Sequence, residues 1–108
     1  MSRGQAFNIS AIEAEDGTAV LRIEGELELA TVDEFDSALA KLEALSPRTI
    51  VVDCFSQTFI DSTGLEAFVE VQRRAQAAGR ELVLIPGPKP VQRVFELTGM
   101  DRFFTFKT

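Results

Sequence analysis

Asp61-Ser62-Thr63-Gly64 sets a carboxylate, two hydroxyls and a glycine in four consecutive positions. They lie between an apolar run ending at Phe59-Ile60 and a helical pattern beginning at Leu65. Short polar side chains suit this place, because the first turn of a helix leaves backbone N–H groups without partners. Two cap registers fit the letters. Asp61 can be the N-cap, with Ile60 and Leu65 as a hydrophobic staple around it, or Thr63 can be the N-cap, with Glu66 completing a capping box. Both registers leave Ser62 within about one residue of the helix start and exposed. The chemistry open to Ser62 is either plain capping or acceptance of a phosphoryl group. A phosphate would carry about −1.5 to −2 charges beside the positive end of the helix, where the fold tolerates it and a docked surface would not.

Other chemistry is sparse. The sequence has no histidine, which removes Ser-His and Cys-His nucleophile pairs and the usual zinc ligand. No GxxxxGK-type phosphate loop is present. The single Cys54 cannot form an internal disulfide and reads as a buried, inert thiol in a reducing compartment. Glu24, Glu26, Glu28, Asp33, Glu34 and Asp36 form an acidic set, read as a solvated face near a helix start rather than a metal site. Arg73, Arg74 and Arg80 suit the negative end of the helix that follows the motif. The net charge of −6 argues against a nucleic-acid binder and against adsorption to anionic membranes. No apolar run reaches the roughly 20 residues a membrane span requires, and Met1–Ser10 holds no signal-type segment. A cytoplasmic protein without cofactor is the expectation.

The elements that position the motif follow from periodicity. Phe7–Ala14 alternates in part, Glu15-Asp16-Gly17 supplies a turn, and Ala19, Leu21 and Ile23 alternate with polar neighbours, which predicts an antiparallel hairpin. Gly25–Ala30 reads as a loop. Thr31 and Glu34 have capping-box spacing and open a helix with Val32, Phe35, Leu39, Leu42 and Leu45 on one face, ended by Ser46-Pro47. Thr49–Asp53 holds the β-branched run of a strand buried in a parallel sheet. The helix after the motif runs to about Ala78, with Leu65, Phe68, Val69, Gln72 and Ala75 as its core face and Gly79 as its stop. Leu82–Ile85 is another strand and Pro86-Gly87-Pro88 a rigid turn. Val91, Val94, Phe95 and Thr98 mark a third helix ended by Gly99, and Phe103–Phe106 a last short strand. The order β-β-α-β-α-β-α-β predicts an α/β fold with a mixed, mostly parallel sheet of 4–5 strands, the first two an antiparallel hairpin, in one domain over residues 1–108. Parallel strands end on one edge, so Gly25–Ala30, Phe59–Gly64 and Pro86–Pro90 share it.

Phe59 to Leu65 resembles the Asp-Ser-Ser/Thr-Gly-Leu phosphorylation motif of STAS domains, specifically of bacterial anti-sigma factor antagonists. Gly25–Thr31 is similar to that family's loop before the first helix, Val51-Val52-Asp53 to the strand before the motif, and Val91–Asp101 to the C-terminal helix and its turn. The resemblance covers nearly the whole chain and implies a STAS fold. It implies a binding module, not an enzyme. The unphosphorylated form would bind an anti-sigma factor and so release a sigma factor. The anti-sigma factor would be a serine kinase of the histidine-kinase-like ATPase fold, bringing its own ATP and Mg²⁺, and a metal-dependent serine phosphatase would reverse the modification. Ser62 would be the phosphoacceptor, supported by Asp61, Thr63 and Gly64. Glu26, Leu27, Glu28, Phe59, Ile60, Leu65, Glu66 and Pro88 would form the partner surface. Leu27, Leu29 and Leu65 read equally well as core residues or as exposed anchors.

Three positions depart from the family pattern: Glu28 in place of Asp, Cys54-Phe55-Ser56-Gln57 in place of a Leu-Ser-Gly-Val-like run, and Thr63 in place of a frequent Ser. The alternative function is a STAS scaffold or docking module, in a stress-signalling assembly or beside a transporter, without phosphorylation. A small enzyme or nucleotide-binding domain is a third reading, with no nucleophile–base pair in its favour.

Overall fold

The structure, a computed structural model, describes residues 7–13 and 16–108. The elements are β1 (Asn8–Glu13), β2 (Thr18–Leu27), α1 (Val32–Glu43), β3 (Thr49–Ile60), α2 (Ser62–Ala78), β4 (Glu81–Ile85), α3 (Lys89–Leu97), a 3₁₀ turn (Met100–Arg102) and β5 (Thr105–Phe106). They form one five-stranded sheet of order β1-β2-β3-β4-β5, with β1 antiparallel to β2 and the other pairs parallel. The expected element order and mixed sheet are those found. Ala14 and Glu15, expected in the first strand and its turn, lie outside the described residues.

Strand alternation decides what the sheet buries. Ala19, Leu21 and Ile23 of β2, Ile50, Val52 and Cys54 of β3, and Leu82 and Leu84 of β4 share one core with residues of all three helices. The helices therefore lie on one face of the sheet. Phe68 is the hub, with its ring centroid 5.1 Å from Phe35, 5.7 Å from Phe95 and 6.2 Å from Phe104. Tilted and edge-on pairs of this kind are each worth about 0.5–1.5 kcal/mol beyond the area they bury.

Four details correct the sequence expectations. Gly25 does not open a loop: β2 bulges at Gly25, whose φ is 94°, and continues to a fully buried Leu27. β3 likewise runs past Asp53 as a single strand to Ile60, absorbing register shifts against β2. The expected Thr31–Glu34 capping box is not formed, because the Thr31 hydroxyl is used elsewhere: it donates to the Glu26 carbonyl at 2.7 Å and accepts the Glu28 N–H at 3.0 Å. Finally, the core face of α2 is Gly64, Ala67, Phe68, Val71, Gln72 and Ala75, with Leu65 and Val69 on its flank. Gln72 sits in this stripe without cost because its Nε2 donates to the Phe103 carbonyl at 2.8 Å.

Candidate functional site at the start of α2

The bulges matter because they carry β2 and β3 side by side to the same edge. Glu26 pairs with Phe59 and Leu27 with Ile60, so the Glu28–Ala30 turn and the motif leave the sheet together. Asp61 then ties them. Its Oδ1 accepts the Gly64 N–H at 2.9 Å, which makes it the N-cap of α2 and decides between the two registers. Its Oδ2 accepts the Leu29 N–H at 3.2 Å, a bond from the preceding loop. Its own N–H donates to the Leu27 carbonyl at 3.3 Å. One carboxylate thus fixes the helix start and the β2–α1 turn relative to each other. Thr31 braces that turn from the other side through Glu26 and Glu28, and the Ala30 N–H donates to Glu28 Oε1 at 3.2 Å.

Gly64 is required by closeness rather than by dihedral angle. A β-carbon there would lie 2.7 Å from the Leu27 carbonyl oxygen and 3.0 Å from Ile60 Cγ1. With Asp61 as the N-cap, Ser62 and Thr63 occupy the first two helical positions, and their N–H groups have no helical acceptor. The Ser62 side chain is exposed, and Thr63 is half-buried at the head of the groove between α1 and α2. A small anion added at Ser62 would meet free donors and the positive helix end.

The expected partner surface divides. Phe59 is 45% exposed, Glu66 and Pro88 are exposed, and Glu26, Glu28 and Leu65 are half-buried. Leu27 and Ile60 are corrected to core residues, at 0% and 3% exposure, because the bulged strands turn them inward under α2. Of the three leucines that read as core or anchor, Leu27 is core, Leu65 packs partly on it, and Leu29 stands out at 73% exposure. Phe55 was not foreseen as a surface residue and is 75% exposed. Asp53 accounts for its position: Oδ1 accepts the Phe55 N–H at 3.0 Å while Oδ2 pairs with Arg22 Nε at 3.2 Å, holding the β3 bulge. The signal in the sequence was the Asp-x-Phe spacing, an Asx-type turn in the middle of a strand. The Pro86–Pro88 turn meets the same strand one step back, where a β-carbon on Gly87 would lie 2.8 Å from the Cys54 carbonyl.

Titration adds little chemistry. Burial pushes the Cys54 thiol far up, reinforced by Asp53, so the thiolate is suppressed and the side chain is core material. Desolvation raises the Asp36 carboxyl, offset in part by Arg74 and reinforced by Asp33 and Glu43. Among the described residues no group of three or more metal-ligating side chains comes together. The cations expected at the negative end of α2 lie outside its last turn and are engaged elsewhere: Arg73 with Glu70, Arg74 with Glu43, and Arg80, beyond the helix, with the Pro47 carbonyl. Gly25–Ala30 and Phe59–Glu66 contain four acids and no Lys or Arg, and Pro86–Pro90 adds one cation, Lys89, so acids outnumber cations on this edge. What this arrangement offers is an exposed hydroxyl on a rigid, acidic edge flanked by Leu29 and Phe59.

The STAS domain family model matches residues 10–108. This chain belongs to the STAS domain family. A relative of similar length, the anti-sigma-B factor antagonist of Staphylococcus aureus, is 30% identical over 80 residues, covering 74% of each chain. Among solved structures, an anti-sigma factor antagonist from Mycobacterium paratuberculosis superposes with a TM-score of 0.80 at 24% identity, covering 98% of this chain and 89% of that one. The anti-sigma factor antagonist SpoIIAA in its unphosphorylated form gives 0.76 at 22% identity, covering 95% and 89%. At these identities the two structures speak for the STAS fold, and Gly64 and Asp61 show how this copy builds the junction.

Asp61→Ala removes the cap and the Leu29 tether together. The expected loss is about 1–3 kcal/mol of unfolding free energy, read by urea denaturation. Asp61→Asn keeps one acceptor oxygen for two donors, so it should fall between Ala and the parent, at a cost of about 1 kcal/mol. If Asp61→Ala were as stable as the parent, the bridging role would be wrong.

Proposed function

We propose that this chain is an anti-sigma factor antagonist, a binding module whose unphosphorylated edge captures an anti-sigma factor and is switched off by phosphorylation of Ser62. The observation that carries the proposal is the exposed Ser62 in the first turn of α2, on an edge locked by Asp61 and Gly64. Membership of the STAS family and the anti-sigma-B factor antagonist among its relatives support it. SpoIIAA, of the same fold, has been solved in both unphosphorylated and phosphorylated forms.

The physical logic of the switch is local. In the free protein a phosphoryl group on Ser62 meets helix N–H groups and solvent, so the fold is retained. In a complex the same group would be covered. Its two charges would be stripped of water beside Asp61 and Glu66, which adds like-charge repulsion to the desolvation cost. The partner contributes the chemistry: a serine kinase of the histidine-kinase-like ATPase fold supplies ATP, Mg²⁺ and the base, and a metal-dependent serine phosphatase resets Ser62. Exposed Phe59, Leu29 and Phe55 provide apolar contact, and Glu26, Glu28 and Glu66 favour a basic rim on the partner. Residues 1–108 act as one STAS domain in the cytoplasm. Among the described residues no helix is long and apolar enough to cross a membrane.

Affinity capture from the native cell on the immobilised parent protein tests this reading. Recovery of an ATPase-fold kinase, lost when Ser62→Asp replaces the parent, is the expected result. Recovery of a membrane transporter component, or of STAS proteins alone, would favour a scaffold role and overturn it.

A further inference from the structure

We infer that the sheet face turned away from the helices is a self-association surface, on which a second copy of this chain packs face to face. The inference is independent of the Ser62 edge. Ile12, Val20, Val51, Val83 and Thr105 stand in register as one row across all five strands. Ser10, Arg22, Asp53 and Ile85 form the row beside it. Alternation puts both rows opposite Leu21, Ile50, Val52, Leu82 and Leu84, which face the helices. Ile12, Val20, Val51, Val83 and Ile85 all lie outside the core cluster. Ile12 is 58% exposed, Val20, Val51 and Ile85 are half-buried, and Val83, in the middle of the sheet, is buried. Sheets built mainly of parallel strands are normally covered on both faces, and here one face carries a β-branched row with no helix over it among the described residues.

Charge identifies the occupant. The chain carries −6, so two copies repel unless they meet where negative charge is already matched. This face comes close to that condition. Asp53 pairs with Arg22 at 3.2 Å and Glu81 with Lys107 at 3.8 Å, while Glu24, hydrogen-bonded to the neutral Asn8 at 3.0 Å, keeps its charge at the margin of the face. The helix side instead presents exposed Asp33, Glu34 and Asp36, and the α2 edge Glu66. A basic partner would be drawn to those, whereas an apolar row bordered by two closed ion pairs suits a copy of itself. Two-fold symmetry would lay row on row, with the sheets about 10 Å apart. The two rows span about 7 Å along the strands, and with the flanking rows Thr18–Thr49–Glu81 and Asn8–Glu24 the face covers about 20 by 20 Å, roughly 400 Å² in projection. That is about half the ~800 Å² per partner of a standard stable interface, so the dimer should be weak and reversible.

Analytical ultracentrifugation of the full chain from about 10 µM to 1 mM, a range that brackets a weak interface, tests the inference. The expected result is a monomer–dimer equilibrium, weakened at least about tenfold by Val51→Lys and by Ile12→Lys, because each places an unpaired charge in the apolar row. Ile12 is largely in solvent already, so Ile12→Lys keeps the test open if Val51→Lys fails to fold. Glu66→Lys, at the other site, should leave the equilibrium unchanged. A monomer at every concentration would overturn the inference. So would a dimer that survives Ile12→Lys undiminished, or one that is lost only in Glu66→Lys.

Discussion

Replacing Gly64 with Ala should lower the melting temperature by about 5–10 °C, corresponding to a net loss of about 1–2 kcal/mol in a domain of this size. Two effects oppose each other. Alanine is the better helix former by about 0.8–1 kcal/mol, and Gly64 sits inside the first turn of α2, so propensity alone predicts stabilisation. The new methyl, however, would lie 2.7 Å from the Leu27 carbonyl oxygen, 3.0 Å from Ile60 Cγ1 and 3.1 Å from Leu27 Cγ. Leu27 is fully buried and its carbonyl also receives the Asp61 N–H, so the backbone there cannot retreat cheaply. Overpacking costs about 1–3 kcal/mol, and a clash with a backbone oxygen at 2.7 Å belongs in the upper half of that range, so it outweighs propensity by about 1–2 kcal/mol. The first turn of α2 must lift off β2, and Ser62 and the Asp61–Leu29 bond move with it. Partner binding should therefore weaken along with stability. An unchanged or raised melting temperature would show that the close approach of α2 to β2 is not as described.

Ser62→Asp should separate binding from folding. Its affinity for the anti-sigma partner is expected to fall about 100-fold, equivalent to about 2.7 kcal/mol. Its unfolding free energy should change by less than about 0.5 kcal/mol, since an acid in the first turn gains from the helix dipole about what it loses beside Asp61. Ser62→Ala should bind like the parent and ignore the kinase. Equal affinity of Ser62→Asp and parent, measured by titration calorimetry, would remove the charge-based switch.

Element order was legible because it rests on periodicity: the alternation in β2, the β-branched run of β3, and the glycines at 79 and 99, whose φ values of 67° and 75° are those of helix stops. The exposed place of Ser62 at a helix start is legible in the local chemistry of short polar residues, whereas its role as phosphoacceptor is what the family resemblance implies. What escaped was long-range. The family resemblance puts Leu27 and Ile60 on the partner surface, with Leu27 equally readable as core, and only the bulged pairing of β2 with β3 reveals that the strands continue and turn both inward. Thr31 has the letters of a capping box, yet its hydroxyl is spent on Glu26 and Glu28, a competition that local spacing cannot rank. Asp61 could be seen as a cap, but its second oxygen is occupied by a residue 32 positions away. Of the expected core face of α2, Phe68, Gln72 and Ala75 hold and Leu65 and Val69 move to the flank, because Gly64, lacking a side chain, carries no hydrophobic signal although its closeness to β2 helps set the helix's rotation.

The central claim is that the Ser62 hydroxyl is the switch. Its most direct test is incubation of the preformed complex with ATP and Mg²⁺, followed by phosphopeptide mapping and size-exclusion chromatography. The account predicts a single phosphate on Ser62, none on Thr63, and dissociation in step with its appearance. Phosphate on another residue, or a complex that persists with Ser62 fully phosphorylated, would contradict it.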